Sequence, residues 1–357
     1  MEKFYVATLN AINFLGNARV RRLIEIFGSA EKVWRAEDSA IQNANIPADA
    51  VDSFLNFRQE HPDAVEQLLE FCTDKKIGLC SYYDEEYPPL LKEIPNPPVV
   101  FYYRGKIEPR AERIAIVGTR HNTTYGEKVA QDIASELAEA GLTVVSGAAR
   151  GIDTCAHKGA LKRGRTVAVL GYGISRIPRH ETKNLLDEIV ERGGLVMTEF
   201  SPGTNATDFT FPIRNRVVAG LCRGVIVVEA GHKSGALITS THAADFSRDV
   251  FAVPGNIFHD KSYGCHELIQ DGAILIKGAK DVLDFYNMSS KKKPVAQIEL
   301  EGDEQRILDL IPLGEFISDE EILMNIDDIS PEEISQIILK LELKNCIIEE
   351  SGRYTRV

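Results

Sequence analysis

The sequence lacks the features of a membrane-spanning or disulfide-stabilised secreted protein. It has no run of 18 or more apolar residues, and its first residues, MEKFYVATLN, do not join a basic segment to an apolar one. Its six cysteines are scattered and form no CxxC pair, which favours reduced, buried thiols over disulfides or a zinc site. We therefore expect a cytoplasmic protein with no membrane partner.

The motifs of common nucleotide-dependent and hydrolytic enzymes are also missing. The chain has no Walker loop, no GxGxxG after the first strand of its predicted sheet, and no HExxH or GxSxG sequence. Five histidines lack a partner motif, so we predict surface or capping roles for them: His157, His180, His232, His242 and His259. We expect neither a metal nor a nucleotide cofactor.

The formal net charge of −12 hides a basic middle segment. Residues 102–235 carry 19 Lys and Arg against 14 Asp and Glu, a net charge of +5. Residues 299–357 carry 5 against 16, a net charge of −11. Because the two signs are separated along the chain, each segment predicts its own kind of partner.

Seven short β-branched runs alternate with helical stretches through the middle of the chain. They are almost continuously hydrophobic, which is typical of strands buried on both faces of a parallel sheet. Strands that alternate with helices imply right-handed crossovers and predict an α/β fold with a doubly wound, mostly parallel sheet. The predicted strands lie at 113–119, 142–147, 166–171, 194–200, 224–230, 249–255 and 273–278.

The regions that flank this sheet differ from it. Residues 1–75 have helical spacing and predict a separate helical domain, which fits a helix-hairpin-helix or sterile-alpha-motif-like module and equally a plain helical bundle. The core is assigned to 76–288. Within it, the proline-rich run 87–105 predicts an extended, non-helical segment. The polar run 289–299 predicts a linker.

Residues 300–357 predict a winged helix, with three helices followed by a small β ribbon. Ser318 with Glu321, and Ser330 with Glu333, match the capping-box pattern at two helix starts. The strongly acidic charge of this segment disfavours contact with phosphates. We expect it to dock a protein rather than DNA.

Glycine, serine and positively charged side chains follow most of the predicted strands. In open parallel sheets, ligands bind beyond the carboxyl ends of the strands. Main-chain N–H groups and several cations at that edge would form a site for multiple phosphates, although any one of the cations also fits a solvated loop charge. The cations are Arg120, Arg150, Arg176, Arg179, Arg214, Arg216 and Lys233.

The segment SGAARGIDTCAHKGAL, 146–161, raises the question of catalysis because it holds an aspartate, a cysteine and a histidine. Asp153 stands where a loop turns into a helix and predicts an N-cap. Cys155 and His157 are two residues apart, so their side chains point apart on a helix and cannot act as a pair. We predict a buried Cys155 and assign phosphate binding to the opening SGAARG.

Several loop motifs occur in order across residues 80–288, namely GTR, SGAARGIDTCAHKGAL, FPIRNRVVAGL, VVEAGHKSGALIT and VFAVPGNI. In this series the chain resembles the DNA-processing protein A (DprA/Smf) family. The resemblance implies an extended Rossmann-like core without a cofactor, a sterile-alpha-motif-like domain before it and a winged helix after it. It also implies a non-enzymatic dimer, formed through the core, that binds and protects single-stranded DNA and loads the recombinase RecA during natural transformation.

The resemblance further implies which residues contact the DNA backbone. They are Gly118, Arg120, Ser146, Gly147, Arg150, Gly151, Arg179, Arg214, Asn215, Arg216, Lys233, Ser234 and Gly235. The chain departs from the family in the third loop, where GIS at 173–175 and IP before Arg179 replace the usual GLD and YP. Neither departure removes a cation.

An enzyme is the rival interpretation. Phosphoribohydrolases of the lysine-decarboxylase-like type share this kind of sheet and carry PGGxGTxxE, but the nearest segment here, AGHKSGALIT, lacks the glutamate. Glu199 and Glu229, near strand ends, are then the candidate acids. Aromatic residues are few at the loops, so DNA would be held mainly through its phosphates and its affinity should fall steeply with salt.

Overall fold

The computed structural model describes residues 1–176, 180–288, 300, 302–312, 316–326, 328–344, 346–350 and 352–356. The chain forms two compact units, Met1–Ser290 and Lys291–Val357. The predicted linker, 289–299, lies outside the described residues. Each unit has its own hydrophobic core.

The first unit begins with six helices. They are α1 (Glu2–Ala11), α2 (Gly16–Phe27), α3 (Ala30–Arg35), α4 (Asp38–Gln42), α5 (Ala48–Glu60) and α6 (Ala64–Asp74). Gly28 ends α2 with a φ of 87°, a conformation that glycine adopts without steric cost, and the Ser29 hydroxyl accepts a hydrogen bond from the Lys32 amide at the start of α3.

The sequence suggested a separate helical domain, but these helices share a hydrophobic core with the sheet. Leu9, Leu23 and Phe54 belong to the same buried cluster as Val100 and Tyr102 of the sheet. A buried apolar surface shared in this way joins the helices and the sheet into one unit.

A sheet of nine strands forms the centre of the first unit. The strands are β1 (Gly78–Ser81), β2 (Val100–Gly105), β3 (Arg113–Val117), β4 (Thr143–Ser146), β5 (Thr166–Val169), β6 (Leu195–Thr198), β7 (Gly224–Val227), β8 (Asp249–Ala252) and β9 (Ile274–Leu275). Their order is β1-β2-β6-β5-β4-β3-β7-β8-β9. The pairs β1–β2 and β2–β6 are antiparallel and all the others are parallel, which confirms the predicted α/β fold with a mostly parallel sheet.

Helices cover both faces of this sheet. They are α7 (Pro89–Lys92), α8 (Thr124–Glu139), α9 (Ile152–Arg163), α10 (His180–Glu191), α11 (Thr210–Gly220), α12 (Gly235–Asp245), α13 (Tyr263–Gln270) and α14 (Ala279–Phe285). Along β3, Ile114 and Ile116 pack into one buried cluster, whereas Ala115 and Val117 pack into another. This alternation is the side-chain period of a strand and explains why the run is hydrophobic throughout.

The segment 87–105 differs from its prediction as an extended, non-helical run. It contains the short helix α7 and the strand β2. Proline at the first position of α7 is compatible with a helix because that N–H has no intrahelical partner.

The strand order creates a switch point beside β3. From β3 the chain steps to β4, β5 and β6 on one side, and β7 then pairs with the other side of β3. The loops that follow β3, β4 and β7 therefore leave the same edge of the sheet next to one another. In open parallel sheets this is where ligands bind.

The described residues of the second unit form three helices and a small antiparallel sheet. Its elements are α15 (Gly302–Leu310), α16 (Asp319–Met324), α17 (Pro331–Leu343), β10 (Ile317–Ser318), β11 (Ile347–Glu350) and β12 (Arg353–Arg356), with the strand order β10-β12-β11. Both predicted capping boxes are confirmed: Ser318 with Glu321 starts α16, and Ser330 with Glu333 starts α17.

Candidate nucleic-acid interface

A cavity of about 480 Å³ opens at the switch point of the sheet. It is lined by residues from the loops after β3, β4 and β7 and from the beginnings of α11 and α12. Its polar, charged and aromatic lining includes Thr119, Arg120, His121, Asp153, Asp208, Phe211, Arg214, Asn215, His232, Lys233, Ser234 and Thr239. We call it the switch-point cavity.

Backbone hydrogen bonds join the three loops that build the cavity. The Thr119 amide donates to the Glu229 carbonyl at 2.8 Å, and the Ile152 amide donates to the Thr119 carbonyl at 3.2 Å. A Cβ on Gly118 would lie 2.6 Å from Cγ1 of Ile152 and 2.9 Å from the Glu229 carbonyl oxygen. The close packing of the loops therefore requires glycine at position 118.

Two of the predicted cations are exposed at the cavity. Arg120 follows β3, and its guanidinium carbon lies 4.9 Å from the centre of the Phe211 ring. Lys233 precedes α12. Neither side chain forms an ion pair with a residue that the structure describes. Their charges are available to an anionic ligand.

The other exposed arginines among the predicted cations do not line the switch-point cavity. Arg150 is exposed on the loop after β4 but does not line the cavity. Arg176 is exposed, and its Nε donates to the Gly203 carbonyl at 3.1 Å. The predicted contact Arg179 lies outside the described residues.

Arg214 is buried, and its guanidinium holds the loop after β4 by hydrogen bonding. Its guanidinium donates to the Gly147 carbonyl and, at 2.5 Å, to the Val169 carbonyl. The Asp153 carboxylate accepts hydrogen bonds from the amides of Gly147, at 3.1 Å, and Ala149, at 3.4 Å. Gly147 is thus fixed on both sides, its N–H by Asp153 and its carbonyl by Arg214.

The charges of Asp153 and Arg214 compensate one another inside the protein. Burial raises the pKa of Asp153, and the positive charge of Arg214 opposes that shift. Burial lowers the pKa of Arg214, and the negative charge of Asp153 opposes that shift in turn. Removing either charge would leave the other buried without compensation.

Two predicted contacts, Ser146 and Arg214, have buried side chains, and a third, Arg216, is only 13% exposed and already paired. Direct contact with phosphate therefore does not fit these three side chains. The Ser146 hydroxyl donates to the Ile116 carbonyl at 2.7 Å. Arg216 pairs with Glu199 and also donates to the Asn96 carbonyl. For Arg214, the sequence signal of burial was its helical spacing from Val217 and Val218, which are buried on the same side of α11.

Asn215 and Ser234 support the loop before α12. The Asn215 side chain accepts from Nε of Arg214 at 3.0 Å and donates to the Gly235 carbonyl at 3.2 Å. The Ser234 hydroxyl caps α12 by accepting from the Ala236 amide at 3.3 Å. Ser234 and Gly235 line the cavity, and a Cβ on Gly235 would meet nothing within 4 Å.

The two carboxylates that an enzyme could have used are engaged in structural contacts. Buried Glu229 accepts hydrogen bonds from the Thr123 amide, at 3.0 Å, and from the Thr123 hydroxyl at the start of α8. Glu199 pairs with Arg216, and burial raises the pKa of Glu199, an effect that Arg216 opposes. Neither Glu199 nor Glu229 lines the switch-point cavity.

The structure corrects two predictions in the segment 146–161. The N-cap of α9 is Gly151, and Asp153 lies inside the first turn with its side chain turned back to the loop. His157 is fully buried rather than a surface or capping residue, and its Nδ1 lies 2.7 Å from the Thr166 hydroxyl. The prediction that Cys155 is buried is confirmed.

In the described part of the chain, no group of three or more His, Cys, Asp or Glu side chains could hold a metal ion. None of the described helices is long and apolar enough to cross a membrane. All six cysteines are free thiols, and five of them are buried.

Comparison with known proteins identifies the family. A sequence profile described as DNA recombination-mediator protein A matches residues 78–287. Protein Smf of Synechocystis is 35% identical over 289 residues, which are 79% of this chain and 72% of that protein.

Two solved structures are similar to this one. DNA processing protein A from Streptococcus pneumoniae superposes with a TM-score of 0.68 at 34% identity, covering 80% of this chain and 98% of that one. DNA processing protein A from Helicobacter pylori, a structure reported for its unique single-stranded DNA binding mode, gives a TM-score of 0.53 at 25% identity and covers 59% and 95% of the two chains. The chain therefore belongs to the DNA recombination-mediator protein A family, known as DprA or Smf.

Proposed function

We propose that the switch-point cavity binds the phosphate backbone of single-stranded DNA. The observation that carries the proposal is that Arg120 and Lys233, which form no ion pair with any described residue, line a glycine-rich cavity at the carboxyl edge of the sheet. Exposed amides and cations at such an edge recognise phosphate groups. The single-stranded DNA binding of the Helicobacter pylori relative supports the same ligand.

The residues divide into direct contacts and supports. Arg120 and Lys233 supply charge, and the loops around Gly118, Gly147, Gly151 and Gly235 let a strand approach the backbone; Arg150 extends the basic surface. Arg214 and Asn215 hold two of these loops in place through the Gly147 and Gly235 carbonyls, whereas Arg216 ties α11 to Glu199 and to the Asn96 carbonyl. Phe209, which is 82% exposed at the start of α11, offers a face for a nucleobase.

Membership of the family supports a proposal for the wider role. We propose that the protein works in the cytoplasm as a dimer formed through its sheet-containing unit. It would protect incoming single-stranded DNA and load the recombinase RecA onto it during natural transformation, without enzymatic turnover. The second unit, acidic and with exposed Met324 and Leu339, is proposed to contact a protein rather than DNA.

Replacing Arg120 by alanine tests the binding site. We expect affinity for a single-stranded oligonucleotide to fall about 10-fold or more, since a charge-assisted hydrogen bond contributes about 1.5–3 kcal/mol. The slope of log affinity against log salt should also decrease by about 0.7, the value for one phosphate contact on a single strand. Fluorescence anisotropy titrations at several salt concentrations measure both quantities.

Arg163→Ala is the matched control, because Arg163 is an exposed arginine at the far end of α9, where it pairs with Glu139. Its affinity and salt slope should equal those of the unmodified protein. An Arg120→Ala protein that binds with unchanged affinity and slope would refute the proposal. Steady hydrolysis of a nucleoside monophosphate would favour the enzyme alternative.

A further inference from the structure

Two aromatic side chains from different loops stack at the rim of the switch-point cavity. The rings of His232, after β7, and Tyr263, the first residue of α13, have centroids 4.3 Å apart and planes inclined by 34°. His232 lines the cavity, whereas Tyr263 does not. The His232 side chain is 70% exposed and Tyr263 is 44% exposed, so the pair presents an accessible aromatic surface.

The stack is held in place by the backbone and by one carboxylate. The Ala230 amide donates to the Lys261 carbonyl at 2.7 Å, and the Gly264 amide donates to the Ala230 carbonyl at 2.8 Å. Glu267, one helical turn after Tyr263, accepts a hydrogen bond from its hydroxyl, and this bond raises the pKa of Tyr263. Because both loops are tied together, a base that stacks there has little ordering cost to meet.

The charges around the stack distinguish a base from a phosphate. The Glu267 carboxylate lies 3.9 Å from Nδ1 of His232 and would repel a phosphate placed over these rings. Phosphates are attracted instead to Arg120 and Lys233, which border the same cavity. A strand whose phosphates lie in the cavity would therefore turn a base toward the rim.

We propose that His232, backed by Tyr263, is a stacking site for a nucleobase of the bound single strand. This inference rests on the proposed function, because the strand must first be held by the cavity. An aromatic face accepts every base, so the site adds affinity without strong sequence preference.

The test compares a short dT oligonucleotide with an abasic strand of the same length, each titrated against wild-type protein and His232→Ala. Stacking on an aromatic side chain contributes about 1–3 kcal/mol per base, so we expect His232→Ala to bind the dT strand about 5-fold or more weakly. Its affinity for the abasic strand should match that of the wild type. For both oligonucleotides, the slope of log affinity against log salt should be the same for His232→Ala as for the wild type, because no phosphate contact is lost.

Two further variants sharpen the result. His232→Phe should restore binding of the dT strand, since it keeps a ring without a charge; a loss equal to that of His232→Ala would mean a charge contact and overturn the stacking site. His61→Ala removes a similarly exposed histidine that packs on Phe57 in the first helical segment and should change nothing.

The outcomes separate this inference from the proposed function. If the wild type fails to bind either strand, the cavity itself is not a DNA site and both ideas fail. If the wild type binds and Arg120→Ala weakens binding, but His232→Ala binds the dT strand like the wild type, only the stacking site is refuted.

Discussion

Replacing Gly151 by alanine is expected to weaken binding of single-stranded DNA by about 100-fold or more while the protein stays folded. Gly151 has a φ of 82° and a ψ of −133°, a conformation that side chains with a Cβ strongly disfavour. A Cβ there would also lie 2.3 Å from the Thr119 carbonyl oxygen and 2.8 Å from the Arg120 Cα. These are backbone atoms, so relief of the clash must move the whole loop after β3.

That movement displaces the contacts of two loops at once. Thr119 would lose its hydrogen bond from the Ile152 amide, and Arg120 would leave its place over Phe211. Loss of the Arg120 contact and of one amide-to-phosphate contact of the displaced loop, at about 1.5–3 kcal/mol each, lowers the affinity by about 100-fold or more. Oligonucleotide titrations by fluorescence anisotropy measure the loss.

Gly203→Ala is the control, because a Cβ on Gly203 would meet nothing within 4 Å and its φ is ordinary. It should bind like the wild type. Circular dichroism and thermal unfolding establish that both variants fold. A folded Gly151→Ala protein with wild-type affinity would show that the backbone of this loop does not shape the site.

The second large effect concerns stability at acidic pH. The free energy of unfolding should fall by about 2 kcal/mol between pH 7.5 and pH 5 because of His157 alone. Burial lowers the pKa of His157 to about 3, and the charge of Arg214 adds to the shift. The Thr166 hydroxyl donates to the Val144 carbonyl at 2.7 Å, so it accepts from Nδ1 of His157 and fixes the neutral tautomer.

The direction follows from proton binding. The unfolded chain takes up a proton at His157 as the pH falls through about 6.5, the ordinary value for histidine, whereas the folded protein does so only near pH 3. The unfolded state therefore binds more protons within this window, and stability is lost as the pH falls through it. Above about pH 6.5 the contribution of His157 is complete.

The sole tryptophan, Trp34, provides the signal because it is buried in the first unit. Urea unfolding followed by Trp34 fluorescence measures the free energy of unfolding at each pH. Between pH 7.5 and pH 5 this free energy should decrease by about 2 kcal/mol less in His157→Gln than in the wild type, because the glutamine amide does not titrate. Other titratable groups, such as Asp153 and Glu199, contribute to the pH dependence of both proteins, so their contributions cancel when the two curves are subtracted. Parallel pH curves for the two proteins would contradict the prediction.

The parallel strands were predictable from sequence, whereas the strands at the antiparallel edge were not. Runs such as RIAIVGT are buried on both faces, so their hydrophobic pattern is nearly complete in itself. The strand β2 depends on a partner far along the chain, since it pairs with β6, and β1 in turn depends on β2. Tyr87 is also buried, and its hydroxyl donates to the Pro98 carbonyl at 2.7 Å. It lies in a segment whose prolines suggested only an extended chain.

The sequence by itself determined the mostly parallel sheet, the two capping boxes and the gathering of glycine-rich, basic loops at one edge, because these depend on local spacing and strand direction. Only the tertiary structure decided which cations are free. Arg120 in the loop after β3 and Arg214 in α11 are the same residue type, but Arg214 is enclosed by carbonyls and Asp153, whereas Arg120 lies at the cavity. Burial depends on what the rest of the chain packs against a side chain, and a loop motif does not contain that information.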